Sequence, residues 1–132
     1  MWNYNIEMGE NAARLTKLID LSDRIVIFTG AGISTESGIP DFRSPNGIWS
    51  KMQPVQFKDF VSSVEMRKEA WRRKAVIDRD MNKARPNRGH RAVAALVEAG
   101  KCRTVITQNI DGLHQTSGVP DEKIVELHGN GT

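Results

Sequence analysis

The chain has 132 residues, of which 39% are hydrophobic and 27% are charged, and its formal net charge is +3. This composition is typical of one globular domain and argues against a disordered chain. No apolar run approaches the ~20 residues that a membrane-spanning helix needs, and the N-terminus lacks a signal pattern. The single cysteine, Cys102, excludes an internal disulfide and a multi-cysteine metal site, so we expect a cytoplasmic protein.

Apolar periodicity predicts an alternation of helices and strands. In chain order it indicates a helix around Ala12, Leu15, Leu18 and Ile19, a strand over 24–28, a helix over 54–84, a helix over 87–100 that Asn87 could cap, a strand over 102–109 and a strand over 123–129. Such alternation is typical of an α/β fold with a parallel sheet. Residues 110–122 are just long enough for the crossover that parallel pairing of the last two strands requires.

Basic residues are concentrated in RKEAWRRK, residues 67–74. A nucleic-acid patch is one interpretation of this cluster. However, Glu65 and Glu69 fall within the same helical turns, which favours a solvated helix face with internal ion pairs. We expect Trp71 to anchor this helix by packing. We therefore predict no nucleic-acid partner and no membrane partner.

Glycine or polar residues follow each predicted strand. They are TGAG at 29–32, QNID at 108–111, and His128 with the glycine after it. Because the carboxyl ends of parallel strands meet at one edge of a sheet, where open α/β sheets bind ligands, these residues should lie together. Three such coincidences predict a site at that edge.

The glycine-rich segment, residues 30–44, reads GAGISTESGIPDFRS. It is not the usual dinucleotide fingerprint, because Thr35 stands where the third glycine is expected. Its first two glycines let backbone N–H groups approach a ligand, and Ser34 and Thr35 add hydroxyls. Arg43 could pair with a phosphate or a carboxylate. For GAG alone, a tight turn without a ligand is the favoured alternative.

Three histidines compete for a chemical role. His90 has helical spacing to apolar residues and is expected to be a satisfied core histidine, and His114 is expected to bond to backbone in a loop. His128 follows a strand at the predicted edge, and an imidazole can accept a proton near neutral pH, so we predict a catalytic role for it. Asn109 could orient a hydroxyl or a water, and Asp111 could accept from an amide, although an Asx turn at NIDG is an alternative for Asp111.

Four motifs in order resemble the sirtuin family of NAD-dependent protein deacylases. They are GAGISTESGIPDFRS with GIW, PNRGHRAVAAL, TQNIDGLHQTSG and VELHGN, and they extend over residues 25–130. The resemblance implies a partial Rossmann-like parallel sheet with flanking helices that binds NAD at the carboxyl edge. It also implies deacetylation of lysine in a protein substrate, with nicotinamide release.

The resemblance assigns roles to individual residues. NAD contacts are implied for Gly30, Ala31, Gly32, Thr35, Ile39, Asp41, Phe42, Arg43, Gln108, Asn109, Ile110, Asp111 and His128. The implied catalytic residues are His128, as the base, and Asn109. In the implied reaction the acyl-lysine oxygen attacks the ribose carbon that bears nicotinamide. After nicotinamide leaves, His128 helps to deprotonate a ribose hydroxyl that attacks the alkylamidate, and water completes acyl transfer to ADP-ribose.

The chain departs from the family pattern in two ways. It ends at HGNGT, before the zinc-binding small domain with its four cysteines and before the segment that clamps the peptide. We therefore expect residues 1–132 to be the N-terminal portion of a sirtuin-type NAD-binding catalytic domain, truncated after the catalytic histidine, with uncovered apolar sheet surface and a missing C-terminal half. Zinc is expected in the family, but its cysteine ligands are absent from this chain.

The second departure concerns the acyl group. Near the position where some sirtuins carry Tyr-x-x-Arg, this chain has Glu69-x-x-Arg72, which favours deacetylation over desuccinylation. Two alternatives stay open. One is an inactive, truncated module that binds NAD or ADP-ribose; the other is a sirtuin-like NAD hydrolase or ADP-ribosyltransferase, which would release nicotinamide without an acylated peptide.

Overall fold

The structure is a computed structural model that describes residues 4–41, 44–45 and 47–131. Along these residues the helices are α1 (Tyr4–Asp20), α2 (Ile48–Lys51), α3 (Phe57–Ser62), α4 (Val64–Met81), α5 (Arg88–Glu98) and α6 (Leu113–Thr116). The strands are β1 (Ile25–Thr29), β2 (Cys102–Thr107) and β3 (Ile124–Glu126), and two 3₁₀ turns cover Ala31–Ser37 and Asp121–Lys123. Helices and strands alternate as the sequence predicts.

The three strands form one parallel sheet in the order β1-β2-β3. Thr29 pairs with Thr107, and Thr107 pairs with Glu126, so the strands end side by side. We call this end of the sheet the carboxyl edge. The predicted parallel pairing and the crossover between β2 and β3 are confirmed. β3 is shorter than expected because Lys123 belongs to the preceding 3₁₀ turn and the chain turns at Leu127 and His128.

Helix α5 covers one face of the sheet. Its Val93 and Val97 pack against Cys102 and Val105 of β2, and the latter two side chains are fully buried. Cys102 is thus a buried core residue at the start of β2. Burying an aliphatic side chain of this size contributes ~1.5–3 kcal/mol relative to leaving it in water, so this contact fixes α5 on the sheet.

The start of α5 is fixed by its cap, as the sequence predicts. Asn87 Oδ1 accepts a 2.8 Å hydrogen bond from the Gly89 N–H. In return, His90 Nδ1 accepts from the Asn87 N–H at 3.3 Å, which completes a capping box. Two of the N–H groups that a helix start leaves without an intrahelical partner are thereby satisfied.

The opposite face of the sheet is apolar and exposed in the part of the chain that the structure describes. Val26 and Phe28 of β1 are 62% and 61% exposed, and Val125 of β3 is 45% exposed. The uncovered apolar surface predicted from the sequence is present there. Helix α1 also forms as predicted, but its Leu15 and Leu18 remain exposed.

The helix predicted over 54–84 is two helices. Ser63, with φ −122° and ψ 125°, is extended and separates α3 from α4. Its Oγ accepts from the Met66 N–H at 3.2 Å and caps α4, which is a role that serine commonly takes. The apolar spacing on both sides of Ser63 hides this break from a periodicity analysis.

The basic segment lies on α4 and is a solvated, ion-paired face. Arg73 Nε donates to Glu69 Oε1 at 2.7 Å, and Lys74 Nζ donates to Asp78 Oδ2 at 2.6 Å. The interpretation as a helix face with internal ion pairs is therefore confirmed. The prediction that Trp71 anchors the helix is wrong, since its side chain is 61% exposed. None of the described helices combines the length and apolarity needed to cross a bilayer.

Candidate active site

The loops after β1 and β2 meet at the side chain of Asn109. Its Nδ2 donates to the Gly30 carbonyl at 3.1 Å and lies 3.2 Å from Ser34 Oγ. The Ser34 hydroxyl in turn donates to Asp111 Oδ2 at 2.6 Å. Ser34 is 1% exposed, so these bonds are shielded from water. The carboxyl edge thus brings Gly30, Asn109 and Asp111 into one hydrogen-bonded group.

Asp111 uses both carboxylate oxygens within the protein. Oδ2 accepts from Ser34, and Oδ1 accepts from the Leu113 N–H at 3.0 Å, which forms the Asx turn considered from the sequence. Gly112 follows with φ 64°, in the left-handed region that favours glycine. Each carboxylate oxygen has two lone pairs, so these bonds leave Asp111 able to accept from a ligand amide as well.

The glycine-rich segment turns immediately after β1 into the 3₁₀ turn Ala31–Ser37. Thr35 Oγ1 donates to the Gly32 carbonyl at 2.9 Å, and Gly38, at φ 85°, closes the turn. A Cβ built at Gly32 would meet no atom within 4 Å, so open space lies over this backbone. The first N–H groups of such a turn have no intrahelical acceptor and are available to a ligand.

Asn87 holds the far side of the same turn. Its Nδ2 donates to the Ile33 carbonyl at 2.7 Å and to Ser37 Oγ at 3.0 Å. The helical pattern identified Asn87 as a cap, but it gave no sign of this second contact. One asparagine therefore fixes both the start of α5 and the glycine-rich segment.

His128 lies just beyond β3 with an oriented ring. Its Nδ1 is 2.9 Å from the Gln108 carbonyl oxygen. Because a carbonyl can only accept, Nδ1 carries a hydrogen, and in the neutral ring Nε2 then has the lone pair. The ring is exposed at the carboxyl edge, and Gln108 is itself held there by its N–H bond to the Thr29 carbonyl at 3.0 Å.

Two histidines form a buried layer beneath this group. His114 lies in α6, 2% exposed, with Nε2 2.9 Å from Thr29 Oγ1, so the prediction of a backbone bond in a loop is wrong. The short helix directs the ring at the sheet. His90 is buried on the apolar face as predicted, but it is not fully satisfied, because its Nε2 has no partner. Thr29 Oγ1 also donates to Thr107 Oγ1 at 2.9 Å.

Burial governs the ionisation of both rings. It lowers the pKa of His90, Asp111 raises that pKa, and Arg91 lowers it further. Burial likewise lowers the pKa of His114, with His90 lowering it and Asp111 raising it. Both shifts favour the neutral imidazole over the charged form. The sequence signal that could have revealed this layer is a threonine at the end of each of two adjacent parallel strands.

The remaining residues predicted to contact NAD lie in the later part of the glycine-rich segment. Asp41 Oδ1 accepts from Ser44 Oγ at 2.6 Å, so Asp41 is bonded within its own loop. Ile39 is half-buried. Phe42 and Arg43 lie outside the described residues.

A cleft of about 520 Å³ opens beside the site, next to β3. It is lined by Asp111, Gly112, Gln115, Thr116, Asp121, Ile124, Glu126 and Asn130. Asp111 borders both the cleft and the hydrogen-bonded group, while Ile110 accepts from the Gly131 N–H at 2.9 Å nearby. Across the described residues, no group of three or more His, Cys, Asp or Glu side chains is placed to hold a metal ion.

Comparison with known proteins agrees with this geometry. The chain is 54% identical over 125 residues to an NAD-dependent protein deacetylase of Rhodopseudomonas palustris, covering 95% of this chain and 49% of that protein. It is also 54% identical over 126 residues to NAD-dependent protein deacetylase 1 of Bradyrhizobium diazoefficiens, covering 96% of this chain and 50% of that protein. The chain therefore spans about half the length of these curated relatives.

Comparison with solved structures also finds proteins that use NAD or ADP-ribose as a ligand. A Sir2 homologue mutant in complex with ADP-ribose is 35% identical with a TM-score of 0.80, covering 89% of this chain and 46% of that one. A Sir2 structure with a p53 peptide and NAD⁺ is 40% identical with a TM-score of 0.75, covering 89% and 45%. The parallel sheet and its helices thus match part of the Rossmann-like fold of Sir2. Since residues 30–132 also match the model of the Sir2 family, the chain belongs to that family.

Proposed function

We propose that the protein carrying this chain is an NAD-dependent protein-lysine deacetylase, which transfers the acetyl group to ADP-ribose and releases nicotinamide. The observation that carries the proposal is the position of Asn109. Its amide is hydrogen-bonded to the glycine-rich segment and to Ser34 of the Ser34–Asp111 pair. Asn109 directly follows Gln108, whose carbonyl orients His128. The names of the relatives support this reaction.

The groups at the carboxyl edge fit a dinucleotide. Open space lies over Gly32, and unpaired N–H groups at the start of a helical turn suit the diphosphate. Neutral amides at Gln108 and Asn109 suit ribose hydroxyls. We propose that the first turn holds the phosphates, that Gln108 and Asn109 hold the ribose next to nicotinamide, and that Asp111 accepts from the nicotinamide amide.

Bound NAD would supply a ribose carbon from which nicotinamide can be displaced. The chain's own contribution is orientation and proton transfer. His128 Nε2, free of the Gln108 bond, would accept the proton of a ribose hydroxyl, while the Nδ1 hydrogen bond to the Gln108 carbonyl holds the ring in place. General-base catalysis of this kind contributes about 10²–10⁴-fold to a rate.

The extent of the catalytic domain is also a proposal. Because the chain spans about half of its relatives, we propose that residues 1–132 form the N-terminal portion of the domain, with the zinc site and the peptide clamp elsewhere in the protein. The substrate would be a protein with acetylated lysine. The cytoplasmic location predicted from cysteine usage stays a prediction.

The reaction can be tested by nicotinamide release from NAD by the natural protein, with and without an acetyl-lysine peptide. We expect release only with the peptide, in equal amount to the deacetylated product. His128→Asn keeps an amide donor for the Gln108 carbonyl but lacks the base, so it should fold and lose about 10²-fold or more of the rate. Release without peptide would instead support the NAD hydrolase. NAD binding without release would support the inactive module.

A further inference from the structure

Two buried nitrogen atoms beneath the site have no hydrogen-bond partner. They are His90 Nε2 and His114 Nδ1, and the two side chains are 0% and 2% exposed. The rings are in contact, with centroids 5.1 Å apart and an interplanar angle of 61°. A buried polar atom without a partner is destabilising and rare in native proteins, so two of them on adjacent rings need an explanation.

The bonds on the other ring atoms determine the tautomers. His90 Nδ1 accepts from the Asn87 N–H, so the hydrogen of the neutral His90 ring must be on Nε2. His90 Nε2 is therefore a donor. If His114 carries its hydrogen on Nε2 and donates it to Thr29 Oγ1, its Nδ1 is an acceptor. The two unpartnered atoms are then complementary, whereas the other His114 tautomer would set two donors against each other.

The same two rings connect both sides of the site. On one side, Asn87 binds His90 and also holds the glycine-rich segment through the Ile33 carbonyl. On the other side, Thr29 Oγ1 is hydrogen-bonded both to His114 Nε2 and to Thr107 Oγ1. Thr107 Oγ1 also accepts from the Asn109 N–H at 3.0 Å. The backbone of Asn109 is thereby fixed from below.

We propose that His90 and His114 are positioning residues that form a donor–acceptor pair bridged by one water molecule. The pair holds Asn109 and the glycine-rich segment in fixed relative positions. A water between the rings would accept from His90 Nε2–H and donate to His114 Nδ1. Buried waters typically satisfy polar atoms in this way. The positioning role rests on the proposed function, whereas the tautomers and the bridge do not.

The charges around the pair favour its neutral form. Burial lowers the pKa of both rings, Arg91 on the same helix lowers the pKa of His90 further, and His90 lowers the pKa of His114. Asp111, in the loop after β2, acts in the opposite sense on both rings. Its carboxylate is already bonded to Ser34 and to the Leu113 N–H.

Nitrogen NMR of the histidine rings in the natural protein tests the pair directly. Shifts of ¹⁵N-labelled imidazoles distinguish protonated from unprotonated nitrogens. At pH 8 we expect His90 and His114 both to carry hydrogen on Nε2, and His128 to carry it on Nδ1. An Nδ1–H tautomer at His90 or His114, or protonation of either ring near pH 6.5, would overturn the pair.

Two variants test the positioning role. His114→Gln keeps a donor for Thr29, whereas His114→Phe keeps the volume and loses every polar contact. We expect His114→Phe to lower kcat about 10- to 100-fold with the KM for an acetylated peptide unchanged, and His114→Gln to recover part of the loss. A wild-type kcat in a folded His114→Phe variant, or a kcat of His114→Gln no higher than that of His114→Phe, would overturn the role.

If His114→Phe does not fold, the kcat of His114→Gln and the tautomers of the two rings test the role instead. A wild-type protein without deacetylase activity would refute the proposed function, while the tautomers would still decide the pair.

Discussion

Ser34 Oγ donates a 2.6 Å hydrogen bond to Asp111 Oδ2, and this bond joins the loop after the first strand to the loop after the second. The two residues are 77 positions apart in the chain. The bond forms because parallel pairing of β1 with β2 places both loops at the carboxyl edge. Sequence-distant motifs thus become one site through the sheet alone.

Loss of the Ser34 hydroxyl should destabilise the fold. In Ser34→Ala, Asp111 Oδ2 loses its partner, and Asn109 Nδ2 loses one acceptor. We expect the free energy of unfolding to fall by about 1–3 kcal/mol, the cost of leaving a buried polar atom unpaired. Urea denaturation measures it, and Ser62→Ala, which removes an exposed hydroxyl bonded within α3, is the control. A change below about 0.5 kcal/mol for Ser34→Ala would refute the importance of the bond.

Exchange of the Asn109 amide for a carboxylate should abolish turnover. In Asn109→Asp, an oxygen replaces the Nδ2 donor and faces the Gly30 carbonyl, with the Asp111 carboxylate close by. Repulsion would displace the glycine-rich segment, and a displacement of about 1 Å can cost 10²-fold in rate. Steady-state deacetylation should fall by at least that factor. Asn11→Asp, on the exposed surface of α1, makes the same change without effect; equal activity of the two variants would contradict the prediction.

Stability should fall as the solution becomes acidic. Burial lowers the pKa of His90 and of His114 in the folded state, so the unfolded chain binds more protons below its histidine pKa of about 6.5. The stabilisation is therefore complete above about pH 6.5 and is lost as the pH falls below it. Each histidine contributes a slope of up to about 1.4 kcal/mol per pH unit.

Urea denaturation at a series of pH values measures this slope. In His114→Phe one titrating group is absent, so the slope between about pH 6.5 and pH 5 should fall by roughly half. Stability that is independent of pH over this range in the unmodified protein would show that the two rings are not buried as neutral groups.

A methyl group at Gly89 should be unfavourable although Gly89 is in a helix. Alanine normally stabilises a helix by about 1 kcal/mol relative to glycine. A Cβ at Gly89, however, would lie 3.1 Å from Ile33 Cγ1 and 3.1 Å from Asn87 Oδ1. The Asn87 side chain is held by its bonds to the Ile33 carbonyl and the Gly89 N–H. We expect Gly89→Ala to lower the melting temperature. Gly9→Ala in α1, where a Cβ meets nothing within 4 Å, should raise it. A gain from both substitutions would contradict the close packing of α5 on the glycine-rich segment.

The sequence predicts the framework well because strong local signals specify it. The apolar runs before Gly30 and Gln108 predict β1 and β2 to within two residues, and Asn87 predicts the start of α5. The break at Ser63 is missed because apolar spacing continues on both sides of it. Trp71 is misassigned because the pattern does not show whether another element covers it, and none of the described elements buries it.

The sequence predicts which residues lie at the site, but it does not predict the contacts of His114 and Asn87 that hold them in place. Asn109 and His128 were identified from their positions after strands, and their catalytic roles stay predictions. The bond of His114 to Thr29 joins residues 85 positions apart, so local patterns do not reveal it. For the same reason, the contact of Asn87 with Ile33 is not visible in the sequence. Phe42 and Arg43, assigned to NAD by resemblance, lie outside the described residues.

The central claim is that the loops at the carboxyl edge form an NAD site, and thermal unfolding of the 132-residue chain with and without millimolar NAD tests it most directly. A ligand at a hundredfold excess over its Kd stabilises the folded state by about 2.7 kcal/mol. We predict a cooperative transition that moves to higher temperature with NAD and does not move in Asn109→Asp. A cooperative transition that NAD leaves unchanged would contradict the claim for this chain.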